Sequence, residues 1–157
     1  MEYIDVLAPT ETVVDIGAFM VAGTFFDAAA VHVLTTATIE RLREFFPHGR
    51  FEVRRFRPNI VVEPVTTEED FVENDWLGRT LTIGDELRLS ITNPCPRCVM
   101  TTLPQGDLPS DPGVLRTIAQ HNQVHVPALG EALPSAGVYA TVLQAGKIRR
   151  GDPAKLE

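Results

Sequence analysis

Cysteine, lysine and long apolar runs are all scarce in this chain of 157 residues, and each shortage excludes something. Two cysteines, Cys95 and Cys98, cannot staple a secreted fold, so they read as a ligand, redox or carrier pair in a reducing compartment. No apolar stretch approaches the ~20 residues that cross a bilayer, and Met1-Glu2-Tyr3 lacks the basic start of a secretory signal. The expectation is a cytoplasmic protein without a membrane partner. Lysine occurs only at Lys147 and Lys155, in the terminal segment, so a Schiff base with pyridoxal phosphate is not expected in this chain. There is no GxSxG elbow, no HExxH and no glycine-rich phosphate loop.

The remaining basic residues are arginines, 12 of 14, in a chain of formal charge -7. That net charge repels polyanions and argues against nucleic acid. Arg54, Arg55 and Arg57 nevertheless fall within four residues, and Arg97 lies between the cysteines. Guanidinium forks bind carboxylate and phosphate in a bidentate manner, so a small anionic ligand is implied.

Along the chain, Val31-His32-Val33-Leu34 reads as a strand, with Asp27 where the preceding segment meets it. Thr36 is placed to cap a helix over Ala37 to Phe46, with Ile39, Leu42 and Phe46 at helical spacing. Phe51 to Arg57 alternates as a strand with Arg55 and Arg57 on one face, Pro58-Asn59 interrupts it, and Ile60-Val61-Val62 resumes it. Thr80 to Ile83 and Leu87 to Thr92 flank Gly84-Asp85 as a hairpin that Asn93-Pro94 ends. Asp111-Pro112 starts a second helix, with the cap residue followed by proline. Asn122 to Pro134 reads as loop, Val138 to Leu143 as strand, and Ala145 to Ile148 turns into a last short strand. Eight or nine short strands with two short helices define a β-rich α+β class, a partly closed β-barrel in one domain over residues 1–157.

Cys95-Pro96-Arg97-Cys98 is the densest concentration of chemistry. A thioredoxin-like pair needs a helix N-terminus in a βαβ unit, whereas this pair follows a strand. A zinc site completed by His121 and His125 would need an intervening segment longer than the usual ~12 to 15 residues, and a chain with a sizeable core needs no structural zinc. A thiolate on a softer or higher-valent metal, a thiol carrying sulfur, and a buried structural pair remain open. A neighbouring cation such as Arg97 favours the thiolate that the first two require.

Three ordered blocks carry a family resemblance: Phe25-Phe26-Asp27 through Thr35-Thr36, Arg54-Arg55-Phe56-Arg57-Pro58-Asn59-Ile60-Val61-Val62, and Cys95-Pro96-Arg97-Cys98-Val99-Met100-Thr101-Thr102. Together, over roughly Gly23 to Asp152, they resemble the MOSC domain found in molybdenum cofactor sulfurases and in the mitochondrial amidoxime reducing component. Residues 1–22 match poorly. The resemblance implies a barrel holding molybdopterin-bound molybdenum, with Cys98 as metal ligand, Arg57, Asn59 and Arg97 holding the pterin and its phosphate, and Asp27 lining the same pocket. It implies an oxidoreductase system that removes oxygen from N-hydroxylated compounds, supplied by a separate electron-transfer or sulfur-donor protein. The alternatives are a sulfur or cofactor carrier without turnover and a degenerate structural paralogue. The family's turn after the cysteine loop is replaced here by Leu103-Pro104-Gln105-Gly106. The β-rich N-terminal domain of larger relatives is not expected in this chain, and a homodimer could supply the missing wall.

Overall fold

The computed structural model describes residues 2–5, 29–65, 70–127 and 129–157. Asp27 lies outside the described residues, so nothing structural follows about it. Eight strands form one curled sheet: β1 (Glu2–Asp5), β2 (Val31–Thr35), β3 (Ile60–Glu63), β4 (Thr80–Ile83), β5 (Leu87–Pro96), β6 (Gln123–Val126), β7 (Glu131–Gln144) and β8 (Pro153–Leu156). Their order is β2-β3-β1-β8-β4-β5-β7-β6, and β7 also pairs with β2. The result is a nearly closed barrel. Its thinnest join is the β1–β8 pairing, Glu2 with Ala154 and Tyr3 with Pro153.

Apolar alternation explains the barrel interior. Leu81 and Ile83 of β4 and Leu87, Leu89 and Ile91 of β5 are buried and pack with Val31, Val33, Ile60, Val62, Val138 and Ala140. Polar residues between them face outward, the pattern of a sheet with one buried face. A second cluster lies against the helices: Leu34, Ile39, Leu42, Phe51, Phe56, Val114 and Ile118. It is built by α1 (Thr36–Phe45), α2 (Val53–Phe56) and α3 (Pro112–His121).

The helix starts follow capping chemistry. Thr35, one residue before the expected cap, accepts the Thr38 amide at 3.1 Å and donates its own hydroxyl to Glu73 Oε2 at 2.7 Å. Asp111 caps α3 by accepting from Gly113, with Pro112 in the first turn, as the sequence predicts.

Several expectations need correction. Phe51 to Arg57 is not a strand, because α2 occupies its centre and makes a third helix. One helical turn places Phe51 and Phe56 in the same core, which a strand would send to opposite faces. Pro58 disfavours right-handed helix at the residue before it, and Arg57 ends α2 in the left-handed region at φ 52°. Strand β5 does not stop at Asn93-Pro94. It continues to Pro96 against β7 through register shifts between Ile91 and Asn93 and between Pro94 and Pro96, bulges that accommodate the missing proline donors. The expected loop over Asn122 to Pro134 contains β6 and the start of β7, paired as a hairpin from Gln123–Pro134 to Val126–Glu131. Only Val126 of β6 is fully buried, so no alternation marks it. The final strand is Pro153–Leu156, held by β4 and β1, while Ala145 to Ile148 is irregular.

Candidate functional site

Residues of α2, of β2, of the turn into β3 and of the cysteine loop enclose a cavity of about 350 Å³ lined by His32, Phe56, Arg57, Asn59, Arg97 and Cys98, with Ala29, Arg55, Pro96, Met100 and Tyr139. Four of the five residues expected to hold a cofactor therefore line one space, although they come from two segments separated by up to 41 positions. No aspartate or glutamate lines it among the described residues.

The two thiols have different environments. Cys95 is buried and Cys98 exposed, and they are not disulfide-bonded. The register shifts in β5 fold Cys95 inward, after which Cys98 starts a 3₁₀ turn, Val99–Thr102, tied back by Thr101 N–H donating to the Cys98 carbonyl at 3.2 Å. The sequence places Arg97 beside both thiols, but its guanidinium contacts Cys95: one amino group donates to Cys95 Sγ at 2.7 Å and the other to the Phe56 carbonyl at 3.0 Å. Cys95 thus aims Arg97, a role no spacing argument reveals.

Several donors in this space are uncommitted. The buried Nε of Arg97 has no acceptor. Among the described residues, no carboxylate or carbonyl takes up the Arg57 guanidinium. Asn59 exchanges bonds with His32, its amide donating to the His32 carbonyl at 2.9 Å and its Oδ1 accepting the His32 amide at 2.7 Å. Its side-chain NH₂ is left over. Buried polar atoms normally find partners, so the orphan Nε of Arg97, with the exposed donors of Arg57 and Asn59 opening onto the same cavity, marks a place for an acceptor-rich ligand.

His32 is the residue sequence reasoning missed. Its ring is buried, Nε2 lies 3.3 Å from the Ala136 carbonyl, and the ring meets Tyr139 edge-on at 6.0 Å. Burial, and then the Arg97 charge, lower its pKa to about 3. The imidazole is therefore neutral at physiological pH, and among the described lining residues the fixed charges are guanidiniums. Gly137, at φ +82°, makes room for the ring: a Cβ there would collide with His32 Nε2. An isolated histidine in an apolar strand carries no sequence signal for this role.

The arginine triplet is split three ways. Arg54 pairs on the surface with Glu52 and with Asp107 at 2.5 Å, Arg55 is buried, and only Arg57 combines exposure with a place at the cavity. His121 stacks on Phe45 at 3.7 Å and His125 is exposed on β6. Among the described residues no cluster of three or more histidine, cysteine or acidic side chains is arranged to hold a metal ion.

Fold and cavity together define a β-barrel protein whose arginine-lined site suits an anionic ligand beside a soft thiol. The model of the MOSC domain matches residues 22–155, and the chain belongs to that family. It is 31% identical over 131 residues to mitochondrial amidoxime reducing component 2 of Rattus norvegicus, covering 81% of this chain and 36% of that protein. To mitochondrial amidoxime-reducing component 1 of Mus musculus it is 30% identical over 135 residues, covering 84% and 38%. The chain thus spans little more than a third of these relatives. The crystal structure of YiiM from Geobacillus stearothermophilus is similar in fold, with a TM-score of 0.55 and 22% identity over 82% of this chain and 54% of that one. The expected family and the partly closed barrel are both borne out.

Proposed function

We propose that this chain binds the molybdenum cofactor in the arginine-lined cavity, with Cys98 as the thiolate ligand, and acts within an oxidoreductase system that reduces N-hydroxylated compounds. One observation carries this reading: an exposed thiol shares a cavity with the orphan Nε of Arg97 and the exposed donors of Arg57 and Asn59, and no described acidic residue lines it. These residues fit the group. Guanidinium forks suit a phosphate and a thiolate suits a soft or high-valent metal. When bound, the cofactor supplies two-electron redox chemistry that the chain's side chains lack.

In this proposal Arg57 and Arg97 grip the phosphate, the Asn59 amide orients the pterin, and Cys98 anchors the metal. Neutral His32 and Tyr139 form a wall that limits water. The family resemblance alone adds Asp27 to this set. In this reading electrons come from a separate redox protein. Among the described residues no helix is long and apolar enough to cross a membrane. The related reducing components are named as mitochondrial, and a cytoplasmic location for this chain belongs to the proposal.

The test is metal and pterin content after expression with abundant cofactor. Wild type should carry both, whereas Cys98→Ser should lose molybdenum and keep part of the pterin through the arginines. Wild type carrying neither would sink the reading. A persulfide on Cys98 with no molybdenum would move the assignment to a sulfur carrier, which the exposure of that thiol also permits.

A further inference from the structure

Arg55 is the largest fully buried side chain, 1% exposed, and it has no described carboxylate partner. Its Nε donates to the Arg50 carbonyl at 2.8 Å. One amino group donates to Thr101 at 3.4 Å and Leu103 at 3.3 Å, and the other to Pro109 at 2.7 Å, all backbone carbonyls. Burying a charge in this way is costly, and an apolar side chain would fill the same volume more cheaply. Only a planar fork can gather four carbonyls from separate segments.

Those segments matter for the site. α2 ends one residue before Arg57, and the turn containing Thr101 begins immediately after Cys98. We propose that Arg55 is a positioning residue that locks the cysteine turn to α2 and so sets the separation of Arg57 and Cys98, the cation and the thiol that the ligand must bridge. This rests on reading the cavity as an anionic cofactor site. Carbonyl acceptors share the Arg55 charge without cancelling it. Arg55, Arg57 and Arg97 therefore leave the described lining with three guanidinium charges and no carboxylate, a balance that a bound anion completes. Gln105 adds a weaker tie between the same elements, its Nε2 donating to the Arg55 carbonyl at 3.4 Å and the Met100 carbonyl at 3.1 Å.

The test uses inorganic phosphate as probe and reads its protection of Cys98 against iodoacetamide by intact mass, Cys95 being buried. Arg55→Lys keeps the charge and loses the fork, whereas Arg55→Met loses both. Both should raise the half-protecting phosphate concentration about tenfold, Gln105→Ala about threefold, and surface Arg88→Ala, whose partner is Glu157 away from the cavity, not at all. Amide exchange over residues 98–109 should quicken in Arg55→Lys while the β4–β5 hairpin keeps its protection. Arg55→Lys within twofold of wild type would overturn the proposal. Should both Arg55 variants unfold, unchanged protection in Gln105→Ala would overturn it. If phosphate fails to protect wild type, the cofactor reading falls, and amide exchange decides on Arg55 alone: unaltered exchange in Arg55→Lys overturns it, quickened exchange supports it.

Discussion

The two halves of β5 are built from the same strand and do opposite things. From Leu87 to Ser90 it pairs with β4 in unbroken register, Ile83 opposite Leu87 and Thr80 opposite Ser90, with a single register shift against β7 between Arg88 and Leu89. Leu87, Leu89 and Ile91 fill the barrel with hydrocarbon. From Asn93 to Pro96 it pairs only with β7, shifts register twice, and delivers Pro96 and the following Arg97 and Cys98 to the cavity, while Cys95 stays buried behind them. Regular pairing repeats one environment along the strand, while each bulge re-aims the side chains after it. Stability therefore concentrates in the first half and binding chemistry in the second.

Mutations can sharpen that contrast. Leu89→Ala should have the largest effect, costing about 4 kcal/mol of folding stability in urea unfolding through lost burial and a cavity. Phosphate protection of Cys98 should be unchanged in the population that remains folded. If protection fell as well, the two halves would not be separable.

Gly137→Ala should cost about 3 kcal/mol, because the new methyl collides with the His32 ring and lies 2.6 Å from the Val33 carbonyl at a strained positive φ. Unlike the leucine change, it should also weaken phosphate protection, since the displaced ring lines the cavity.

The pH dependence of stability tests His32. Its folded pKa, about 3, lies below the ordinary 6.5, so the unfolded chain takes up the proton first. Its contribution is complete above the unfolded value and is lost as pH falls toward the folded one. Between pH 7 and about pH 4.5 wild type should lose about 2.5 kcal/mol from this group, and His32→Gln should lack that component of the slope. Glu73 works in the other direction: burial raises its pKa, so its contribution is present at low pH and declines as pH rises above the ordinary carboxylate range.

The smallest effect is expected at Arg57, where the left-handed backbone strains any residue with a Cβ. Arg57→Gly should gain about 1 kcal/mol of stability, and Arg57→Ala should not. Both should lose phosphate protection. A stability gain accompanied by full protection would remove Arg57 from the site.

Much of the regular half was legible. The β4–β5 hairpin, β3 and the Asp111-Pro112 helix start all follow from alternation, turn residues and capping, which act within a few positions. The irregular half was legible only as composition. That Cys98, Arg57, Asn59 and Arg97 belong to one cavity followed from a family resemblance. Nothing local distinguished Arg55 from Arg54: both are arginines in an alternating segment, yet one is sealed inside and the other pairs with Asp107 on the surface. Strands β6 and β8 escaped because their partners, not their own patterns, make them strands.

By itself the sequence determined the donor types, a soft thiol and guanidinium forks in an acidic chain, and the apolar periods that build a barrel. Those are properties of side chains and nearest neighbours. The tertiary structure decided which thiol is exposed, which arginine is buried and that His32 stays neutral. Each of these depends on desolvation and on partners dozens of residues away, which come into contact only when the barrel curls round to join β7 with β2.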